Sequence, residues 1–113
     1  MSELLDEQVV NELKDIMGDD LGVLMETFIT DSHDKINELE SIIYGADNDA
    51  IRRLAHSLKG SSKNIGANQL ADKCERLEHD ARNEKLGDRQ AYFDAICESF
   101  DLTKTGIEGL LQS

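Results

Sequence analysis

Around one histidine the chain reads Ile51-Arg52-Arg53-Leu54-Ala55-His56-Ser57-Leu58-Lys59-Gly60-Ser61-Ser62-Lys63-Asn64. Apolar residues recur here at three- and four-residue spacing, which predicts a helix. With Ile51 at zero and about 100° per residue, Leu54, Ala55, Leu58, Ser62 and Ile65 fall within about 60° of it. His56 lands at about 140°, on the outer face, with Lys59 at about 80°, Arg52 at about 100°, Lys63 at about 120° and Gly60 at about 180°. No acid of this helix is expected to share that face. Basic charge is therefore expected to gather around one exposed imidazole.

Such a cluster suits phosphoryl transfer. Neutral imidazole is a competent nucleophile near neutral pH. Neighbouring cations disfavour the imidazolium, keep the lone pair available and compensate charge on a transferring phosphoryl group. Lys59, one turn on from His56, can reach an oxygen of a phosphate carried on the ring. Gly60 costs about 1 kcal/mol of helix stability relative to alanine and leaves room for a partner to approach.

His33 and His79 serve as internal comparisons. Neither has a lysine three residues on and a glycine four residues on, and both are expected at the surface. The three histidines form no HxxxH or ExxH pair, so no metal site is expected. Cys74 and Cys97 are the only cysteines and stand far apart. They are expected to act as small apolar residues in a reducing compartment.

The elements that must position His56 are helical. The 113-residue chain contains no proline and only 4% aromatic residues, which disfavours sheets and leans towards an all-α fold. Five amphipathic segments are expected, at about Asp6–Met17, Leu21–Tyr44, Asp49–Asn64, Asn68–Asn83 and Asp88–Leu111. Asp6 and Asn68 are candidate helix caps. In the first segment Val9, Leu13, Ile16 and Met17 should face inwards. In the second the inner face should hold Leu21, Leu24, Met25, Phe28, Ile36, Leu39 and Ile43. The fourth offers Leu70, Cys74, Leu77 and Ala81, and the last Phe93, Ile96, Cys97, Phe100, Ile107 and Leu110. Short connections force antiparallel neighbours, so an up-down-up-down four-helix bundle is expected, with an additional short N-terminal helix over one end or edge. Residues 1–113 are read as one domain.

Twenty-four acidic residues stand against 12 basic ones, a formal net charge of −12. That field repels nucleic acid and anionic membrane surfaces. No apolar run approaches the roughly 18 residues of a membrane span, and the acidic start lacks signal-peptide character. A cytoplasmic protein is expected.

The run Ala55-His56-Ser57-Leu58-Lys59-Gly60-Ser61-Ser62, followed by Gly66-Ala67, Leu70, Cys74 and Leu77-Glu78, closely resembles the signature of histidine phosphotransfer (HPt) domains. The match is dense from Ile51 to Glu78 and continues more sparsely through Phe28, Asp31, Leu39 and Asp49. The resemblance implies a helical bundle with His56 phosphorylated, at Nε2, and with Lys59 and Gly60 in the roles argued above. Ser61 and Ser62 would allow close packing of the next helix. In the family a side chain 22 positions beyond the histidine, commonly glutamine, often hydrogen-bonds the ring; here Glu78 stands there. Glu78 falls about 80° from Leu70 on its helix, at the edge of the inner face. It could orient the imidazole, or it could be a surface acid paired with Arg82 one turn on.

What the resemblance implies is a stoichiometric phosphocarrier of a two-component phosphorelay rather than an enzyme. Receiver domains of a hybrid sensor kinase and of response regulators would be its partners, docking on the face that carries Arg52, Lys59, Gly60 and Lys63. No cofactor of its own is implied, since Mg²⁺ would come with the receiver. A monomer is expected. The competing readings are an interaction module that binds receivers without transferring phosphate, and a histidine-kinase dimerisation hairpin.

Overall fold

The computed structural model describes residues 5–112, and among these it is all-helical. The helices are α1 (Glu7–Met17), α2 (Leu21–Ile42), α3 (Asn48–Asn64), α4 (Asn68–Arg82) and α5 (Arg89–Gln112), with a 3-10 turn at Gly18–Asp20 between α1 and α2. Each boundary lies within two residues of the one expected from periodicity.

Aspartates start three of the helices. Asp6 Oδ1 accepts from the backbone N–H groups of Gln8 and Val9, Asp47 Oδ1 from Ala50, and Asp88 Oδ1 from Ala91. Each satisfies donors that the first turn of a helix leaves without partners. Asn68 does not cap α4 as expected. It is already helical, and its Nδ2 donates instead to Asp6 Oδ2 at 3.2 Å. The reason is a clasp between the start of α1 and the α3–α4 turn. The Asp6 N–H donates to Gly66 O at 2.8 Å, and Gly66 has φ of 81°. A Cβ on Gly66 would stand 3.1 Å from both Cβ and N of Asp6, so only glycine suits both the left-handed backbone and the close approach.

The core runs along the inner stripes of the four long helices. Met25 and Leu39 of α2, Ile51 and Leu58 of α3, Leu70 and Leu77 of α4, and Ile96 and Ile107 of α5 are fully buried. Helices α3 and α4 form the most extensive pairing of the molecule. Small residues permit it: Ala55, Ser62, Ala67 and Ala71 are buried within or beside the contact. The buried Ser62 hydroxyl is satisfied by Leu58 O at 2.7 Å. Helix α1 departs from the expected pattern. Its buried residue is Val10, whereas Ile16 is 78% exposed. An 11-residue helix lying against α2 covers only a narrow stripe: Leu13 and Met17 pack against the core beside Val10, while Ile16 falls about 120° from Val10 and outside that stripe.

The α2–α3 loop is fixed from the other side of the chain. Arg89 Nη1, at the start of α5, donates to Ile43 O and Gly45 O, both at 2.7 Å. Ile43 is the cap of α2, where a helix leaves acceptors without intrahelical partners, and Gly45 lies in the loop that follows. The α3 register that presents His56 is thus held at both ends. No helix among the described residues is long and apolar enough to cross a membrane.

Candidate functional site

The inner stripe of α3 is buried, so the opposite face meets solvent, and His56 sits there with its side chain 64% exposed. Its Nδ1 lies 2.9 Å from Glu78 Oε2, reached across the α3–α4 contact. Small side chains between the two helices bring the backbones near enough for this pairing. Glu78 is only 2% exposed, at the margin where the inner face of α4 meets solvent.

Three groups converge on that carboxylate. Lys59 Nζ is 2.7 Å from Oε1, while His56 Nδ1 and Arg82 Nη2 share Oε2, Arg82 at 2.7 Å. At that distance Lys59 is the group that does most to stabilise the ionised carboxyl. Burial raises the Glu78 carboxyl, but Lys59 and His56 outweigh it and hold the group below its ordinary 4.5. Glu78 is therefore ionised at neutral pH. A carboxylate can only accept, so Nδ1 must carry the proton in this bond. In a neutral ring the lone pair then belongs to Nε2, which has no partner among the described residues.

Glu78 meets both His56 and Arg82, the two partners the sequence offers, through the same oxygen. It is not a surface acid. The expected concentration of free basic charge, however, is corrected. Asp49 falls at about 160° on the α3 wheel, so an acid does share the outer face. Arg52 Nη2 is 2.9 Å from Asp49 Oδ1, and Arg53 Nε is 3.5 Å from Oδ2. Arg52 is thus drawn towards the start of α3 rather than to the imidazole. Lys59 is only 18% exposed, turned onto Glu78 with Glu75 4.0 Å away. Lys63 is exposed and has no acid within ion-pair distance among the described residues.

Gly60 lies on the exposed face, and a Cβ built there would meet nothing within 4 Å. The fold itself does not require glycine at this position. Ser61 Oγ donates to Ser57 O at 3.1 Å and accepts from Lys35 Nζ of α2 at 3.4 Å. His33 and His79 are exposed, and their side-chain partners, Asn37 and Asp34 for one and Asp80 and Asn83 for the other, lie on the same helix or, for Asn83, at its cap. Only His56 is oriented by a neighbouring helix. The Cys74 thiol is pushed up to about 12 by burial and then by the Glu78 charge, which leaves it an inert packing residue.

Arg82 is legible in the sequence only as a partner of Glu78 at i+4. Its place beside the imidazole becomes visible once α3 and α4 are docked. A surface cleft of about 480 Å³ next to it is lined by Lys59, Glu75, Arg76, Glu78 and Arg82 among others.

Residues 23–112 match the sequence model of the Hpt domain. Across 99% of this chain and 97% of the other, the fold is similar to the crystal structure of histidine-containing phosphotransfer protein B (HptB) from Pseudomonas aeruginosa PAO1, with a TM-score of 0.94 and 32% identity. A putative histidine-containing phosphotransfer protein from rice shares the fold at a TM-score of 0.64 and 22% identity, over 97% of this chain and 76% of that one. Among curated proteins none matches. The matched region contains α3, α4 and every residue around the imidazole, and on these grounds the chain belongs to the Hpt domain family.

Proposed function

We propose that this domain takes a phosphoryl group onto His56 Nε2 from the phospho-aspartate of a receiver domain and passes it to the aspartate of another. The observation that carries this reading is the exposed ring whose Nδ1–H is fixed by a buried carboxylate, leaving Nε2 as the nucleophile. The Nε2 lone pair attacks phosphorus in line, the bond from phosphorus to the aspartyl oxygen breaks, and its electrons return to the receiver carboxylate. The proton stays on Nδ1, so the phosphorylated ring gains positive charge, which Glu78 stabilises. Transfer to the second receiver reverses these events.

Lys59 then serves the phosphoryl oxygens, and Gly60 leaves space for the receiver to close over the ring. Lys63 and, more remotely, Arg52 belong to the docking surface. Mg²⁺ is supplied by the acidic pocket of the receiver. Local attraction to the cations of α3 outweighs the net repulsion between two acidic proteins at short range. In this reading the domain is a monomeric, cytoplasmic carrier between a hybrid sensor kinase and its response regulators. Its long helices run alternately up and down, as the short connections 43–47, 65–67 and 83–88 favour, and α1 lies at the edge of the bundle.

The test is incubation with a phosphorylated receiver, followed by a search for protein-bound phosphate that is acid-labile and base-stable. Wild type should acquire it and His56→Gln should not. Label persisting in the variant removes His56 from the mechanism. A wild type that binds receivers but never labels leaves an interaction module instead.

A further inference from the structure

The contacts of Glu78 raise a difficulty for Lys59. In the free protein this lysine is turned onto Oε1, and to meet a phosphoryl oxygen it must leave. Its departure would strip a 2% exposed carboxylate of a cation, and an uncompensated buried charge is strongly unfavourable. With Lys59 and Glu78 alone, the pair would also offer no net charge to an incoming phosphate. Arg82 removes both obstacles. It holds Oε2 at 2.7 Å, the same oxygen that receives His56 Nδ1, while Lys59 holds the other oxygen.

We propose that Arg82 is a positioning residue that keeps Glu78 on the imidazole while Lys59 transfers from the carboxylate to the phosphoryl group. The inference rests on His56 being the phosphorylated residue. Two cations on the buried carboxylate leave a positive charge beside the ring that the exposed Glu75, 4.0 Å from Lys59, offsets only in part through solvent, and only one of the cations needs to move. Arg82 is suited to staying. It is one helical turn from Glu78 on α4, and its planar guanidinium is always charged. Lys59 is suited to moving, as a single ammonium on a flexible stem. No bond is made or broken at Arg82. It acts through Glu78, whose orientation fixes which ring nitrogen carries the lone pair.

The role is separable from receiver docking by a double-mutant cycle on the full chain. Arg82→Gln should lower the transfer rate at saturating receiver about tenfold, the loss expected for one charge-assisted hydrogen bond, with receiver affinity changed less than about twofold. Arg82→Lys, which restores a cation, should recover a substantial part of that loss. In a Glu78→Gln background the amide needs no compensating charge, so Arg82→Gln should change the rate by less than about twofold. Equal slowing in both backgrounds would mean that Arg82 acts on the receiver, and would overturn the proposal. Ring ¹⁵N NMR provides a readout that needs no phosphate. At a pH where the ring is neutral, Arg82→Gln should shift the His56 tautomer balance from Nδ1–H towards Nε2–H while a thermal melt stays cooperative, and an unchanged balance would also refute the role. Failure of wild type to label would instead count against phosphorylation of His56, with the NMR arm still deciding for or against Arg82.

Discussion

Replacing Gly60 by alanine sets stability and transfer against each other. The position is inside α3, on its exposed face, with open space where a Cβ would go. Nothing within the domain opposes the methyl group, so the variant should gain the full difference in helix propensity, about 1 kcal/mol. For a domain of this size that corresponds to a rise in Tm of about 4 °C. The same methyl group would project one turn beyond His56, where a receiver must bring its phospho-aspartate to within bonding distance of Nε2. A displacement of about 1 Å at that point costs on the order of a hundredfold in rate. Thermal melts by circular dichroism and transfer time courses over a range of receiver concentrations measure the two effects on one sample. The expected result is a more stable protein that transfers more slowly. Unchanged transfer in a stabilised variant would show that no partner approaches over Gly60. Absence of any stability gain would refute the unobstructed helical environment on which the argument depends.

Lys59→Ala should slow transfer at saturating receiver by about a hundredfold, as loss of one group that stabilises transition-state charge does, and weaken receiver binding much less. Equal rates would refute charge compensation by this lysine. Glu78 predicts a pH dependence of folding. Its folded-state carboxyl lies below 4.5, so its stabilisation is present above that value and disappears as pH falls through the lower folded value. Denaturant titrations of wild type and Glu78→Gln should therefore differ by a constant amount above about pH 5 and converge in acid; a constant difference down to about pH 3 would contradict it. Gly66→Ala should destabilise the domain by at least about 1–2 kcal/mol, because alanine resists the left-handed backbone there and its Cβ would crowd Asp6. Equilibrium unfolding checks this, and a neutral substitution would show that the clasp is not tight.

The periodicity of apolar residues contains the helices and their inner stripes, because burial of one face is a property of each helix alone. The same wheel places His56 outside and Glu78 at a margin. It does not contain the rotation of α4 against α3, on which the contact of Nδ1 with Oε2 depends. For that reason spacing leaves open the choice between His56 and Arg82 as partner of Glu78, and a carboxylate oxygen able to accept twice takes both. The acid missed on the outer face, Asp49, lies exposed in the first turn of α3, where its side chain reaches forward to Arg52 and Arg53. Helical spacing from Leu13 and Val9 points Ile16 inwards. Which edge of that stripe a short helix turns to solvent depends on its rotation against its neighbour, and spacing is silent on that. Ser62 already falls on the inner stripe of α3 by spacing, whereas Thr103 is visible as a core residue only when its hydroxyl is found bonded to the carbonyl four residues back.

The bond from Asp6 N–H to Gly66 O also orders the folding of the molecule in time. It joins residues separated by α1, α2 and α3, so it can close only at the entropic cost of a long loop. The α3–α4 hairpin, made of contacts close in sequence, needs no such closure and can form early. Disrupting the clasp should consequently accelerate unfolding while leaving the refolding rate nearly unchanged. The turn beneath His56 is then fastened last and released first, and the clasp extends the lifetime of the folded site without setting the speed at which it is built.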